Sequence, residues 1–233
     1  MEGRLALAAL LSSPYPLVSV LALRRRLGAV ASLGLPAGAT VYVASDEVMA
    51  EVAGFDVHRG LLGIARRLPP LTAAQVLSQL SSPLVVVVEG VNDQENLGAI
   101  FRNAAAFGAG GVFASPTCTD PLYRRSIRVS LGQVLRVPFA RLEPWPAAVE
   151  LLRKRGFVPV ALTPARQADS VDVVSADLHG LNVALVVGAE GAGLSPQVMS
   201  MCRQARIPMA PGVDSINVAA ATAVALHCFS AVR

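Results

Sequence analysis

Charge is scarce in this chain. Of its 233 residues only 15% are Asp, Glu, Lys or Arg, while 53% are apolar; about 25% charged is usual. So much apolar material excludes an intrinsically disordered chain, because there is ample surface to bury in a core. Long apolar runs are absent as well. Solid runs such as residues 84–88 and 183–187 fall far short of the ~18–20 residues of a membrane-spanning helix. Cysteine is sparse and odd in number: Cys118, Cys202 and Cys228 form no C-x-x-C pair and no disulfide framework. A reducing, cytoplasmic compartment is expected. His58, His179 and His227 are equally scattered, none at ligand spacing from a Cys or a carboxylate, so no metal site is expected. The N-terminus, Arg4 followed by apolar residues 5–11, imitates a secretion signal. Glu2 and the lack of a small-residue cleavage site argue for a helix instead.

Lysine is nearly missing. Of twenty cationic side chains only Lys154 is not arginine, and the net charge is +4. Arg presents a planar fork of donors that matches phosphate oxygens, so a basic, Arg-dominated chain leans towards a polyanionic partner. A coding bias towards Arg, Ala, Gly and Val explains the same composition.

Proline and serine punctuate residues 68–83, around Pro69-Pro70 and Ser81-Ser82-Pro83, with a short helix expected over 72–80. Residues 1–75 are expected to form a small α/β unit, residues 76–83 a linker, and residues 84–233 a second unit. In the first unit, helical patterns (4–11, 48–53) alternate with β-rich runs (17–21, 40–44). In the second, strands are expected at 84–89, 111–114, 157–162, 183–187 and 206–209. The helices expected between and after them cover 97–107, 145–155, 195–202 and 217–232. Alternation of this kind builds a parallel sheet covered on both faces.

Ligands of such sheets bind beyond the carboxyl ends of the strands, so the segments after the strands matter most. Neither a G-x-G-x-x-G fingerprint after the first strand nor a Walker sequence is present, which counts against an ordinary nucleotide-binding enzyme acting on a small molecule. Three other segments stand out. Asn96-Leu97-Gly98-Ala99-Ile100-Phe101-Arg102 opens a helix, with Asn96 placed to cap it and Arg102 ~1.7 turns further on. Gly188-Ala189-Glu190-Gly191-Ala192-Gly193-Leu194 follows a strand and permits close backbone approach to a ligand. Ile207-Pro208-Met209 leads through a Pro/Gly loop to Ser215-Ile216-Asn217-Val218, the start of the last helix. Taken singly, each has a plain reading: a capped helix with a solvated Arg, a turn with an exposed Glu, a helix cap.

Taken together and in this order, the three segments resemble the motifs of the SpoU (TrmH-like) RNA ribose 2′-O-methyltransferases of the SPOUT superfamily. The first, N-x-G-A-I-x-R, is followed here by Ala104-Ala105-Ala106-Phe107-Gly108, as in that family. The resemblance covers residues 84–233. More loosely, residues 1–75 resemble the small α/β, ribosomal-protein-like RNA-binding domain that often precedes such a catalytic domain, shortened by one basic helix at its start.

The resemblance implies an α/β fold with a C-terminal trefoil knot, which no pattern reading would propose because knots are rare. It implies S-adenosylmethionine held in the knot loops near Thr163, Gly188, Ile207 and Ile216. It implies methyl transfer to a ribose 2′-hydroxyl, with Arg102, Asn96, Glu190, Ser215 and Asn217 at the family's functional positions. Arg102 would act as general base, or, since guanidinium groups keep their proton beyond pH ~12, as a clamp on alkoxide or phosphate. Arg124, Arg125 and Arg128 would meet RNA phosphates. The implied partners are RNA, ribosomal ahead of transfer RNA, and a second copy of the chain, packed through helices including the apolar 217–232. A catalytically silent RNA-binding or ribosome-assembly protein of the same fold is the competing function; the intact five-residue set counts against it.

Overall fold

Short apolar strands alternate with capped helices along the whole chain, and they sort into two sheets. The computed structural model describes residues 1–54 and 57–231. In chain order the elements are α1 (Arg4–Leu11), β1 (Leu17–Leu23), α2 (Leu27–Ala31), β2 (Thr40–Ala44), α3 (Asp46–Ala53), β3 (Leu61–Ala65) and α4 (Ala73–Ser78). Next come β4 (Leu84–Glu89), α5 (Gln94–Ala106), β5 (Val112–Ala114), α6 (Arg124–Val129), β6 (Phe139–Arg141), α7 (Val149–Lys154) and β7 (Phe157–Leu162). The chain continues through β8 (Asp169–Ser170), α8 (Val171–Asp177), β9 (Asn182–Gly188), α9 (Pro196–Ser200), β10 (Arg203–Arg206) and α10 (Val218–Ala231).

The first sheet has the order β2-β1-β3, with β1 parallel to β2 and antiparallel to β3. The second has seven strands in the order β6-β5-β4-β9-β7-β10-β8, and every pairing in it is parallel. Its centre, β4 beside β9, explains the two solid apolar runs. Strand side chains alternate between faces, so a strand covered on both sides must be apolar at every position. Leu84, Val86 and Val88 join Leu185 and Val187 under α5 and α10, while Val85 and Val87 join Ala184 and Val186 on the opposite face.

The two sheets share a core. Ala6, Leu7 and Leu10 of α1 belong to the same buried cluster as Val134 and Leu135 of the larger unit. Residues 76–83, expected as a linker, begin with the end of α4. Thr72 caps α4 through a reciprocal capping box with Gln75, and Val76 and Leu77 are buried against the second sheet. Pro83 O accepts a hydrogen bond from Val183 N.

Several boundaries move for physical reasons. The helix expected at 97–107 starts three residues earlier. The helix expected at 145–155 shortens to α7, behind the Pro144 and Pro146 lead-in, where no N–H can be donated. The strand expected at 206–209 lies at 203–206 instead. Ala205 O accepts from Thr163 N, and three residues later Pro208 has no N–H to continue a ladder. β10 is a polar strand, held by Arg203 to Asp177 (2.6 Å) and by Arg206 Nε donating to Ala168 O.

Candidate active site

The carboxyl ends of β7, β9 and β10 lie side by side, and the loops that leave them, residues 163–164, 188–193 and 207–217, surround a cavity of about 490 Å3. All four residues expected to hold a cofactor, Thr163, Gly188, Ile207 and Ile216, line it. Ending β10 at Arg206 is what frees Ile207 to face this space. Ile216 is apolar yet 40% exposed, so one wall of the cavity offers a greasy surface that water covers poorly. Glu190, Ser215 and Asn217 add polar groups to the same cavity.

The glycine loop is tight for a steric reason. Ala189 and Gly193 form an antiparallel bridge, which folds the loop back on itself. A Cβ on Gly188 would lie 2.3 Å from Gly193 C and 2.5 Å from Leu194 N, far inside contact distance. The loop therefore closes only with glycine at 188.

The start of α5 corrects one expectation. Its cap is Asp93, whose Oδ1 accepts from Glu95 N and Asn96 N at 2.8 Å each. A carboxylate at a helix N-terminus also meets the positive end of the macrodipole. Asn96, expected to cap, sits inside the first turn with its side chain released for tertiary use. Its Oδ1 accepts from Asn217 Nδ2 at 2.8 Å. The same Nδ2 donates to Glu190 Oε1 at 2.8 Å, while Asn217 Oδ1 caps α10 by accepting from Ala219 N and Ala220 N. One amide thus joins all three motifs and uses both of its ends.

Arg102 stands apart from the cavity lining. It is exposed on α5, about 9 Å along the helix from Asn96 at 1.5 Å per residue. Its side chain makes no hydrogen bond or ion pair among the described residues. It shares a stripe with Glu95 and Gly98, and Gly98 touches α6: a Cβ there would lie 2.7 Å from Ser126 O. That close approach brings α6, with exposed Arg124, Arg125 and Arg128, beside the Arg102 stripe. Arg125 is paired with Glu95 at 2.8 Å. Both partners are about half exposed, so the pair contributes at most ~1 kcal/mol.

One organising residue gave no motif signal. Glu89, at the end of β4, accepts from Trp145 Nε1, Ser195 N and Ser195 Oγ, each at 2.8 Å. Ser195 in turn caps α9. Glu89 thereby pins the downstream end of the glycine loop. The available signal was an acid closing an otherwise wholly apolar strand.

The cysteines do not offer nucleophilic chemistry. Burial pushes the Cys202 thiol up to about 11. Burial, then the Asp172 carboxylate, pushes Cys228 up as well. Cys118 is buried and donates to Val88 O.

Asn217 supplies a direct test of this arrangement. Asn217→Ala is expected to cost about 1 kcal/mol of stability through the lost cap. It should also lower turnover at the site at least about tenfold by untying Asn96 and Glu190. A thermal melt beside a single-turnover assay separates the two effects; full turnover in a folded variant would remove the network from the mechanism.

Known proteins resemble the chain over most of its length. The chain is 42% identical over 227 residues to an uncharacterized tRNA/rRNA methyltransferase of Mycobacterium tuberculosis, spanning 97% of this chain and 78% of the relative. It is 30% identical over 207 residues to the 23S rRNA (guanosine-2′-O-)-methyltransferase RlmB of Acinetobacter baylyi, spanning 87% and 83%. The crystal structure of an AdoMet-bound rRNA methyltransferase from Sinorhizobium meliloti superposes with a TM-score of 0.80 at 26% identity, covering 98% of this chain and 85% of that one. Residues 83–227 match the SpoU rRNA Methylase family. With the cavity, the three motifs and this match in agreement, the chain belongs to the SpoU rRNA methylase family.

Proposed function

We propose that this chain is a methyltransferase that moves the methyl group of S-adenosylmethionine to a ribose 2′-hydroxyl of RNA, with 23S ribosomal RNA as substrate. The observation that carries this reading is the hydrogen-bonded meeting of Asn96, Glu190 and Asn217, the last two of which line a cavity built from three strand-end loops. The cavity suits the cofactor. Its ~490 Å3 falls within the usual 300–1,000 Å3 of small-ligand sites. Ile207 and Ile216 offer apolar contact to a flat base, and the close-folded glycine loop presents backbone groups to ribose and amino acid.

The cofactor supplies an activated methyl group on a sulfonium; the protein must place the acceptor oxygen and manage its proton. In this reading Thr163, Gly188, Ile207 and Ile216 hold the cofactor. Asn217 orients Glu190 and Asn96, and Ser215 offers a hydroxyl to the ribose or its phosphate. Arg102 stabilises the developing alkoxide or grips the adjacent phosphate, and Arg124, Arg125 and Arg128 take phosphates of the flanking RNA. Residues 1–75 act as an RNA-binding unit and residues 84–233 as the methyltransferase unit.

Two further features belong to this proposal. The order β9-β7-β10 takes the chain across β7, back through residues 207–217 past the loop after β7, and into α10, consistent with a trefoil threading of the C-terminal segment. α10 buries Thr222, Leu226 and Phe229 but leaves Val224 40% exposed, with Ala220 and His227 also in the open. The exposed Ala220 and Val224 on that outer face suit packing against a second copy. Among the described residues no helix is long and apolar enough to cross a membrane, in keeping with a cytoplasmic enzyme of RNA. The relative named for both tRNA and rRNA keeps transfer RNA as the second reading.

Calorimetric titration with S-adenosylmethionine is expected to give one site per chain. Incubation with labelled cofactor should mark ribosomal RNA, and the marked linkage should resist alkali because its 2′-oxygen is blocked. Alkali-labile labelled product would refute 2′-O transfer. Label confined to transfer RNA would select the second reading.

A further inference from the structure

A second hollow, about 290 Å3, lies on the seam between the two sheets. One side comes from the first unit: Tyr15 before β1, and Ile64, Arg66 and Arg67 in and after β3. The other comes from α6, with Arg124 and Ile127. Its lining holds three arginines, an aromatic ring and no carboxylate. The parts are fixed in place. Arg66 N donates to Pro16 O, which ties the end of β3 to the residue beside Tyr15. Arg67 is paired with Asp120 just outside the hollow at 2.6 Å, a contact between the two units. The Arg66 side chain makes no hydrogen bond or ion pair among the described residues. Ile127 is buried in the floor, whereas Ile64 is 62% exposed at the rim.

A ring, an apolar floor and surrounding guanidinium groups match one ligand chemistry well. Unpaired RNA bases are recognised by stacking on aromatic or guanidinium planes while cations take the phosphates. A protein strand or an acidic peptide would have no use for the ring-and-floor geometry combined with so dense a positive charge. Position adds a second argument. Arg124 opens α6, and the same helix, which packs through Ser126 and Val129 against Gly98 of α5, carries Arg125 and Arg128 on its exposed side. A strand leaving the hollow along α6 passes Arg125, paired with Glu95, and Arg128.

We propose that this hollow is a binding site for an unpaired nucleotide of the substrate RNA, its base against Tyr15 and the isoleucines and its phosphate on Arg66 and Arg124. The site acts at a distance from methyl transfer, by setting the register of the RNA strand across the two units. It rests on the reading of RNA as substrate, but its test does not need turnover. The probe is a fluorescent, 5′-phosphorylated decauridylate, titrated at low salt against the whole chain. Tyr15→Ala and Arg66→Glu are each expected to weaken binding about tenfold, equal to ~1.4 kcal/mol. Tyr15→Phe keeps the ring and should bind as the parent does. S-adenosylmethionine binding by calorimetry should be unchanged in all three, which also shows that they are folded.

Unchanged decauridylate affinity in Tyr15→Ala and Arg66→Glu overturns the site, as does failure of the parent to bind the probe. Equal weakening by Tyr15→Phe would place the effect on the hydroxyl and overturn the stacking argument. A parent that binds decauridylate through Tyr15 yet methylates no RNA would defeat the proposed activity and leave this site standing.

Discussion

Arg102→Ala is expected to lower methyl transfer by about a hundredfold to a thousandfold, the usual loss when one donor to a developing oxyanion is removed. Affinity for S-adenosylmethionine should hold within about twofold, because Arg102 does not line the cofactor cavity. Stability should hardly change, since the side chain is exposed and has no partner among the described residues. A single-turnover assay beside calorimetry measures both; a large loss of cofactor affinity would show that its role is misassigned. Arg102→Lys separates the two candidate roles. A lysine titrates near pH ~10.4, well below a guanidinium. If the group must lose a proton to act as base, the lysine variant gains rate at lower pH than the parent. If it acts as a fixed positive charge, the lysine variant is slower for want of the bidentate fork and loses rate as it deprotonates. The fixed charge is the expected outcome, because a base that holds its proton across the working range is poorly matched to its task.

The second large effect is expected at Gly188. Gly188→Ala places a methyl group within 2.5 Å of the backbone at Gly193 and Leu194. These are not flexible side-chain tips, so the loop must open. Overpacking of this kind costs about 1–3 kcal/mol. Because Ala189, Glu190 and Gly193 all line the cavity, the shift should also weaken S-adenosylmethionine at least about tenfold. Denaturation and calorimetry on the same sample give both numbers. Parental affinity in a destabilised variant would mean that the loop's closure serves folding alone.

Much of the chain could be read locally, and the reasons are visible in particular elements. α1, β2 and β7 fall where periodicity predicts them, at residues 4–11, 40–44 and 157–162, because each has one clear apolar pattern and a turn at each end. Ser195 and Pro196 mark the start of α9 by cap chemistry alone. β10 escapes pattern reading because its residues, Arg203, Gln204 and Arg206, look like solvent-facing polar chain. Only Asp169, Asp177 and the carbonyl of Ala168, distant in sequence, make that strand tenable. Asn96 departs from its expected role as a cap for a related reason. Asp93 and Asn96 are both competent caps, and the choice fell to Asp93 once Asn217 took the other side chain.

By itself the sequence determined the alternation of strand and helix, the absence of a nucleotide-fold glycine fingerprint, and the three motifs that reveal the family. Tertiary structure alone decided which of those motif residues meet. Asn96 and Asn217 bond across 121 residues, Glu89 and Ser195 across 106, and Tyr15 faces an arginine of α6 across the seam between two sheets. Local patterns record what a residue does to its own segment, through periodicity and capping. A hydrogen bond or a shared cavity between distant segments leaves no such trace, because either end alone looks like an ordinary solvated side chain.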